Sequence, residues 1–239
     1  AVAPPRWFGI DALGAGQRLW GVTAQTQSLR RHGDGGIGDL GGVIQLARIV
    51  AARGADALAI SPLHAPFAAQ PERFGPYAPS TRLLRNPALA DPAAAFGAQH
   101  VAAVMKQCAL DNEYAALERL ALIEPARAAM AKMKLFSALH ESLDAAGLRG
   151  EFDAYCSRTG EVLFEHACFE ALHQHFLSAT PARSYCAIGQ RPSGILARTG
   201  FMNSSWHMRA KWNFTCCCSG WPSAAAQARS ERLAPPACA

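Results

Sequence analysis

The sequence predicts an α/β fold that opens with a parallel strand–helix–strand unit and continues into a mostly helical region. Two observations lead to this prediction. Two short apolar runs, at residues 20–29 and 55–60, flank a stretch with helical spacing, and such a unit implies parallel strands joined by a right-handed crossover. From residue 92 to 176 the sequence is helix-like almost throughout. Because strands no longer alternate with helices there, we interpret that region as an inserted helical subdomain.

The first unit can be followed element by element. Trp20–Leu29 is apolar or Thr-rich and bounded by glycine-containing segments, which is typical of a buried strand. Asp39 is a candidate N-cap for a helix over Leu40–Ala52, and Gly54 is placed to end that helix. The short apolar run Ala55–Ile60 is the second strand.

Residues 61–87 form a long predicted loop with six prolines and three aromatic residues. Loops of this length in compact domains tend to be functional. The loop leaves the C-terminal end of a parallel strand, where ligands bind in α/β folds. We therefore expect the binding site here.

The helical region divides at its prolines and glycines, and Pro125 suits a helix first turn. The predicted helices are Ala94–Leu110, Tyr114–Leu122, Pro125–Ala146 and Glu161–Phe176. The third of these carries a stripe that we interpret as core, made of Met130, Met133, Leu135, Phe136 and Leu139.

Composition excludes several functions. The charge of +5 is spread along the chain with no basic block, which argues against nucleic-acid binding. No apolar run reaches the ~18 residues of a membrane span, and the first residues lack a signal-peptide pattern. We therefore expect a cytoplasmic protein without a membrane or nucleic-acid partner. The sequence makes no prediction about oligomeric state.

Candidate metal and carboxylate clusters have simpler interpretations. Three consecutive cysteines, 216–218, lack the spacing that converges on one zinc ion. Asp34 and Asp39 lie in a glycine-rich turn that favours turn and N-cap roles over a catalytic pair. Only His166 and Glu170 have i,i+4 spacing in the last helix, which we interpret as a solvated face that also carries His173, His175 and Glu165. No metal or other cofactor is predicted.

Three segments together resemble the 4-α-glucanotransferase (amylomaltase) family. They are WGVTAQTQSLRRHGDGGIGDLGGVIQLARIVAARGAD, LAISPLHAPFAAQPERFGPYAPSTRLLRNP and EFDAYCSRTGEVLFEHACFEALHQHF. They are similar to the first strand, glycine loop and helix, to the second strand with its sugar-contacting loop, and to the inserted helices. The resemblance implies a partial (β/α)8 TIM barrel, limited to its first two strands, with a mostly helical inserted subdomain and an irregular C-terminal tail. A complete barrel needs roughly 250 residues before insertions, more than the chain of 239 offers.

The resemblance also assigns candidate site residues. The family's Ser-Pro-Tyr corresponds to Gly75, Pro76 and Tyr77, which makes Tyr77 the best candidate substrate contact, although simple loop packing is the alternative. Gly75 lacks the serine hydroxyl that could bind a glucose. His64 follows the second strand and is a weaker candidate, since a lone histidine is more often structural. The matching Asn86-Pro87 pair favours a structural role.

Residues after about 179 lose all periodicity and gain Cys, Ser, Trp and Arg. Residues 212–223, back-translated in the adjacent frame, permit EFHLLLQWLAE, which resembles a family helix. The same shift from residue 185 permits LRDW followed by P or A, similar to another family segment. We therefore hypothesise a frameshift between about residues 177 and 185, with the cysteine cluster as misread leucine codons.

These observations divide the chain into a linker (1–18), the start of a barrel (19–92), a helical subdomain (93–178) and an out-of-frame tail (179–239). The resemblance implies transfer of α-1,4-glucan segments by a retaining double displacement. Its catalytic carboxylates lie beyond the in-frame region, so no catalytic residue is assigned and an inactive fragment is expected. The alternatives are a non-catalytic maltooligosaccharide-binding fragment and a small α/β interaction protein.

Overall fold

The computed structural model describes residues 18–179. In this part of the chain one helix connects the two strands of a first small sheet, a second small sheet follows, and five further helices come after it. The predicted linker, apart from its last residue, and the predicted out-of-frame tail after Ala179 lie outside the described residues. The strands are β1 (Gly21–Ala24), β2 (Ala57–Ile60), β3 (His64–Ala65) and β4 (Thr81–Arg85). The helices are α1 (Leu40–Ala51), α2 (Pro92–Phe96), α3 (Ala98–Gln107), α4 (Asp111–Arg119), α5 (Pro125–Glu141) and α6 (Arg149–Ala179), with 3-10 turns at Thr26–Ser28 and Pro87–Leu89.

The predicted parallel strand–helix–strand unit is present. β1 and β2 pair in parallel, with Gly21 opposite Ala57 at one end. The carboxylate of Asp39 accepts the N–H of Gly42 and so caps α1, as predicted. Gly54 has a φ of +80°, and its N–H bonds the carbonyl of Ala51 at 2.9 Å, which is the glycine-terminated helix end expected there.

The prediction that the first strand is long and buried is wrong. β1 ends at Ala24, where the chain turns into the 3-10 helix Thr26–Ser28. All four of its residues are exposed or half-buried, and the same is true of β2. The reason is that, within residues 18–179, this sheet has only two strands, and α1 covers it incompletely.

The predicted loop at residues 61–87 is also more ordered than expected, because it contains the antiparallel pair β3–β4. His64 lies opposite Arg85 and Ala65 lies opposite Thr81, with an irregularity between them. The pairing brings the two ends of the loop together and buries Leu84. The excursion that connects the two strands is thereby shortened to residues 66–80.

The helical region is confirmed, with different boundaries. Gly97 has a φ of +84° and splits the first predicted helix into α2 and α3. α5 begins at Pro125 as predicted but ends at Glu141. α6 begins twelve residues before the predicted Glu161, at Arg149, and passes through a kink at Gly160, whose φ of +57° is not helical.

The apolar core lies mainly among α2–α6. Leu135, Phe136 and Leu139 are fully buried on α5, as predicted. Met130 is not part of the core, because its side chain is 51% exposed, and Met133 is only partly buried. Residues before α2 that join the same core cluster are Ile37, Ala65, Leu84 and Ala90.

The glycine-rich loop between β1 and α1 docks on the C-terminal end of α4. Arg30 donates to the carbonyl of Glu118 at 2.7 Å, and the Glu118 carboxylate accepts the N–H of Gly33 at 3.0 Å. Gly36 has a φ of +82°, and a Cβ there would lie 2.7 Å from the carbonyl oxygen of Leu117. Only glycine therefore allows this close backbone contact.

A buried ionic cluster joins this loop to the helical region. Arg31 bonds both oxygens of Asp39, at 3.0 and 2.9 Å, and also lies 2.8 Å from the carboxylate of Asp91. Lys132 on α5 is 3.7 Å from Asp39 and donates to the carbonyl of Ala88 at 2.9 Å. Burial lowers the pKa of Lys132, and the nearby Asp39 opposes that shift. Since Asp39 and Asp91 cap α1 and α2, the cluster fixes both helices relative to α5.

Candidate functional site

The excursion at residues 66–80 carries the predicted substrate contacts, and its base is built on aromatic packing. The ring of Phe67 is buried and lies 6.4 Å from the ring of Phe169 and 5.7 Å from that of His173, both on α6. The guanidinium of Arg73 lies 4.7 Å above the centre of the Phe67 ring. Phe67 therefore attaches the excursion to α6.

The tip of the excursion is open to solvent. Tyr77 is 76% exposed, Gly75 is exposed and Pro76 is half-buried between them. A Cβ placed on Gly75 would meet no atom within 4 Å, so packing does not require glycine there. The geometry therefore leaves the Tyr77 ring free to contact a ligand, and it leaves room for the serine that the family pattern has at residue 75.

His64 lies elsewhere in the same sheet. It is half-buried in β3, at the base of the excursion and opposite Arg85. The sequence prediction treated His64 and Tyr77 as members of one site, and the structure places one at the base and the other at the tip. Asn86 has the structural role expected of it, because its side chain accepts the N–H of Ala88 and caps the 3-10 turn that starts at Pro87.

The C-terminal ends of β1 and β2 are held together close to this excursion. The hydroxyl of Ser61 accepts the N–H of Thr26 at 3.1 Å, and the Ser61 N–H bonds the carbonyl of Ala24. Gln27 then donates from its side chain to the carbonyl of Phe74 at 3.3 Å, just before the tip. The tip is therefore connected to the strand ends at which α/β folds bind ligands.

A cavity of about 480 Å³ lies beside the excursion, between it and helices α5 and α6. Its walls are mainly alanine, proline, phenylalanine and methionine, so they offer few groups to the hydroxyls of a sugar. The three tip residues do not line it. Its lining includes Pro66, Phe67, Ala69, Pro71, Phe74, Ala129, Met130, Met133, Ala171 and, among polar residues, Gln27, Arg85, Lys134, His166, Glu170 and Gln174.

The prediction of a solvated face on the last helix is wrong for Glu170 and His173, and the side chain of His175 lies outside what the structure describes. Glu170 is 5% exposed and His173 is fully buried, because this face packs against Phe67 and the excursion. Burial lowers the pKa of His166 to about 4 and raises the pKa of Glu170. Glu165, by contrast, is exposed as predicted.

Within residues 18–179, no group of three His, Cys, Asp or Glu side chains is arranged to hold a metal ion. Cys108 and Cys168 are free thiols there, and the cluster at residues 216–218 lies outside the described residues. None of the described helices is both long enough and apolar enough to cross a membrane.

A comparison with known families decides what kind of chain this is. The sequence profile described as 4-alpha-glucanotransferase matches residues 24–233. The chain belongs to the 4-alpha-glucanotransferase family. The resemblance expected from the three sequence segments is thus confirmed.

Individual relatives match over shorter stretches. The 4-alpha-glucanotransferase of Haemophilus influenzae is 41% identical over 70 residues, which cover 29% of this chain and 10% of that protein. The 4-alpha-glucanotransferase of Mycobacterium tuberculosis is 37% identical over 93 residues, which cover 36% of this chain and 13% of that protein. The chain therefore matches about a tenth of the length of these family members.

The fold is also shared with a solved structure. Amylomaltase from Corynebacterium glutamicum superposes with a TM-score of 0.64 at 23% identity, over 90% of this chain and 28% of that one. This supports an α/β fold corresponding to part of a larger amylomaltase structure. The number of barrel strands and the domain boundaries at residues 18, 92 and 178 stay predictions.

The sequence pattern did not predict two features of this chain. Lys132 and Glu170 are both buried charges, and each falls on the apolar face of its helix. Lys132 is four residues from both Ala128 and Phe136, and Glu170 is three residues after Ala167. A charged residue at such a position is a signal for a buried polar contact.

Proposed function

We propose that this chain binds α-1,4-glucan at the exposed tip of the 66–80 excursion, with the Tyr77 ring as the main contact. The observation that carries the proposal is the exposure of Tyr77, which is 76% accessible on a loop held beside the ends of two parallel strands. Membership of the 4-alpha-glucanotransferase family supports a glucan as the ligand.

The chemistry of the tip suits a sugar ring. One face of a glucosyl unit presents C–H groups that pack on an aromatic ring, while the tyrosine hydroxyl can bond a sugar hydroxyl. Pro76 fixes the backbone immediately before the ring. Because Gly75 supplies no hydroxyl, we expect weaker binding than a serine at residue 75 would give. A variant Gly75→Ser fits the open space there.

We further propose that the activity of the family is a retaining transfer, in which a carboxylate attacks the anomeric carbon and a second one exchanges protons with the departing and incoming sugars. Retention requires two carboxyl groups about 5 Å apart. We assign no such pair within the described residues, where the buried carboxylates Asp34, Asp39 and Glu170 bond backbone N–H groups of neighbouring segments. We therefore expect no disproportionation of maltotriose by the purified chain above a no-enzyme control.

The frameshift belongs to the same proposal, since it would place the catalytic carboxylates of the family beyond the in-frame region. Its support is the pair of family-like segments in the adjacent frame, at residues 185–190 and 212–223. The family profile matches the given sequence up to residue 233 and therefore also covers the stretch that we propose to be out of frame. Sequencing the coding DNA decides between the two frames. Codons that do not spell the shifted segments would remove the hypothesis.

Titration with maltoheptaose, followed by calorimetry, tests the binding site. We expect Tyr77→Ala to weaken binding by about tenfold, the effect of losing roughly 1.4 kcal/mol of ring contact. Leu83→Ala is the matched control, because Leu83 is also 76% exposed but lies in β4. Equal losses in both variants, or none in Tyr77→Ala, would contradict the assignment. Absence of binding by the unmodified chain would favour the interaction-protein alternative.

A further inference from the structure

Glu170 holds both ends of the 66–80 excursion with one carboxylate. Its Oε2 accepts the N–H of Ala68 at 3.0 Å, and its Oε1 accepts the hydroxyl of Ser80 at 2.7 Å. Ala68 and Ser80 are twelve residues apart, and Tyr77 lies between them. We propose that Glu170 is a positioning residue, which sets the orientation of the Tyr77 tip for glucan while never contacting the sugar. This inference rests on the proposed function.

The burial of Glu170 argues that these two bonds are its role. The side chain is 5% exposed, and a buried carboxylate is unfavourable unless hydrogen bonds compensate for the lost water. Among the described residues no cation forms an ion pair with it, and both of its hydrogen bonds go to the excursion. The carboxylate therefore serves the excursion and not the helix.

Two other hydrogen bonds hold the excursion, and neither of them connects it to α6. The Ser80 N–H bonds the carbonyl of Ala65, which continues the β3–β4 pairing at one end. Gln27 reaches the carbonyl of Phe74 from the strand side. Glu170 is the side chain of α6 that hydrogen-bonds to both ends of the excursion, so its removal loosens the segment that carries Tyr77.

Hydrogen exchange and calorimetry on the full chain test this proposal with three variants. Glu170→Ala removes both bonds, Ser80→Ala removes one, and Glu165→Ala is the control, since Glu165 is exposed on the same helix. We expect faster amide exchange in residues 66–80 for Glu170→Ala and a smaller increase for Ser80→Ala. Exchange in α5 should not change. Glu170→Gln should restore part of the protection, because an amide oxygen can still accept the N–H of Ala68.

Maltoheptaose affinity provides the second measurement. We expect Glu170→Ala to weaken binding about tenfold, as for the loss of a charge-assisted hydrogen bond, and Glu170→Gln to fall between it and the unmodified chain. Unchanged amide exchange in residues 66–80 of Glu170→Ala would show that Glu170 does not hold the excursion, whether or not glucan binds. Faster exchange with unchanged affinity overturns the positioning role. If Glu170→Ala does not fold, the same outcomes are read from Ser80→Ala. If the variants show the expected change in exchange but the unmodified chain binds no maltoheptaose, the proposed function is refuted, and the positioning role with it.

Discussion

The β1–α1–β2 unit and the helical region contrast in how they bury their apolar residues. α1 has the sequence LGGVIQLARIVA, yet only Gly42 is buried in it, and Ile44 and Ile49 are about half exposed. α5 is the less apolar helix of the two, yet it buries six residues, including Phe136 and Leu139. Apolar content therefore does not decide burial in these two helices, and the difference lies in what surrounds them.

This contrast shows that an amphipathic pattern predicts a helix but does not predict how fully the apolar side chains of that helix are buried. The strands of a parallel sheet are normally covered on both faces, and within residues 18–179 β1 and β2 have no further strand beside them. The helical region forms its own core and anchors the first unit through the ionic cluster and the glycine loop. We therefore expect stability to depend on the helical region and on the ionic cluster that joins it to the first unit, and little on α1.

The largest effect on the free energy of unfolding is expected at the ionic cluster. Asp39→Ala leaves Lys132 and Arg31 without their buried carboxylate and removes the cap of α1. We expect a loss of about 5 kcal/mol in the free energy of unfolding, measured by urea denaturation. Asp153→Ala on the exposed face of α6 is the control and should change stability by less than about 0.5 kcal/mol. A small effect of Asp39→Ala would mean that the two regions are not coupled through the cluster.

The next effect compares the two helices directly. Phe136→Ala removes a fully buried ring from α5 and should lower the free energy of unfolding by about 4 kcal/mol. Ile49→Ala removes a half-exposed side chain from α1 and should cost no more than about 0.5 kcal/mol. Thermal and urea unfolding of both variants measure the difference. Similar losses would show that α1 is buried in solution, contrary to the contrast described above.

The smallest effect is a pH dependence at Glu170. Because burial raises its pKa, the folded chain holds a proton that the unfolded chain releases, between the ordinary glutamate pKa and the raised one. Stability therefore falls as the pH rises through that interval. Glu170→Gln cannot titrate and should lack this fall, so the unmodified chain loses stability relative to the variant as the pH rises from the ordinary glutamate pKa through the raised one. Parallel slopes in urea denaturation series would contradict the raised pKa.

Local patterns were sufficient to predict the elements that depend on local chemistry. The cap at Asp39, the helix end at Gly54, the start at Pro125 and the parallel pairing of the first two strands follow from short-range rules. The β3–β4 pair was missed because proline-rich sequence obscured the five residues Thr81–Arg85.

The candidate site was predictable in part, for a related reason. The family pattern pointed to Tyr77, and the structure shows it exposed. Glu170 was misassigned as solvated because its partners, Ala68 and Ser80, are 102 and 90 residues away along the chain. Contacts over such separations depend on the packing of whole elements, which periodicity does not describe.

The docking of the glycine loop also has a consequence for chain synthesis. The bond from Arg30 to Glu118 joins residues 88 apart, and the one from Lys132 to Ile37 joins residues 95 apart. During translation, at about 5–20 residues per second, the first strand and α1 therefore leave the ribosome several seconds before their anchors. Over that interval their apolar faces and open strand edges are available to other chains.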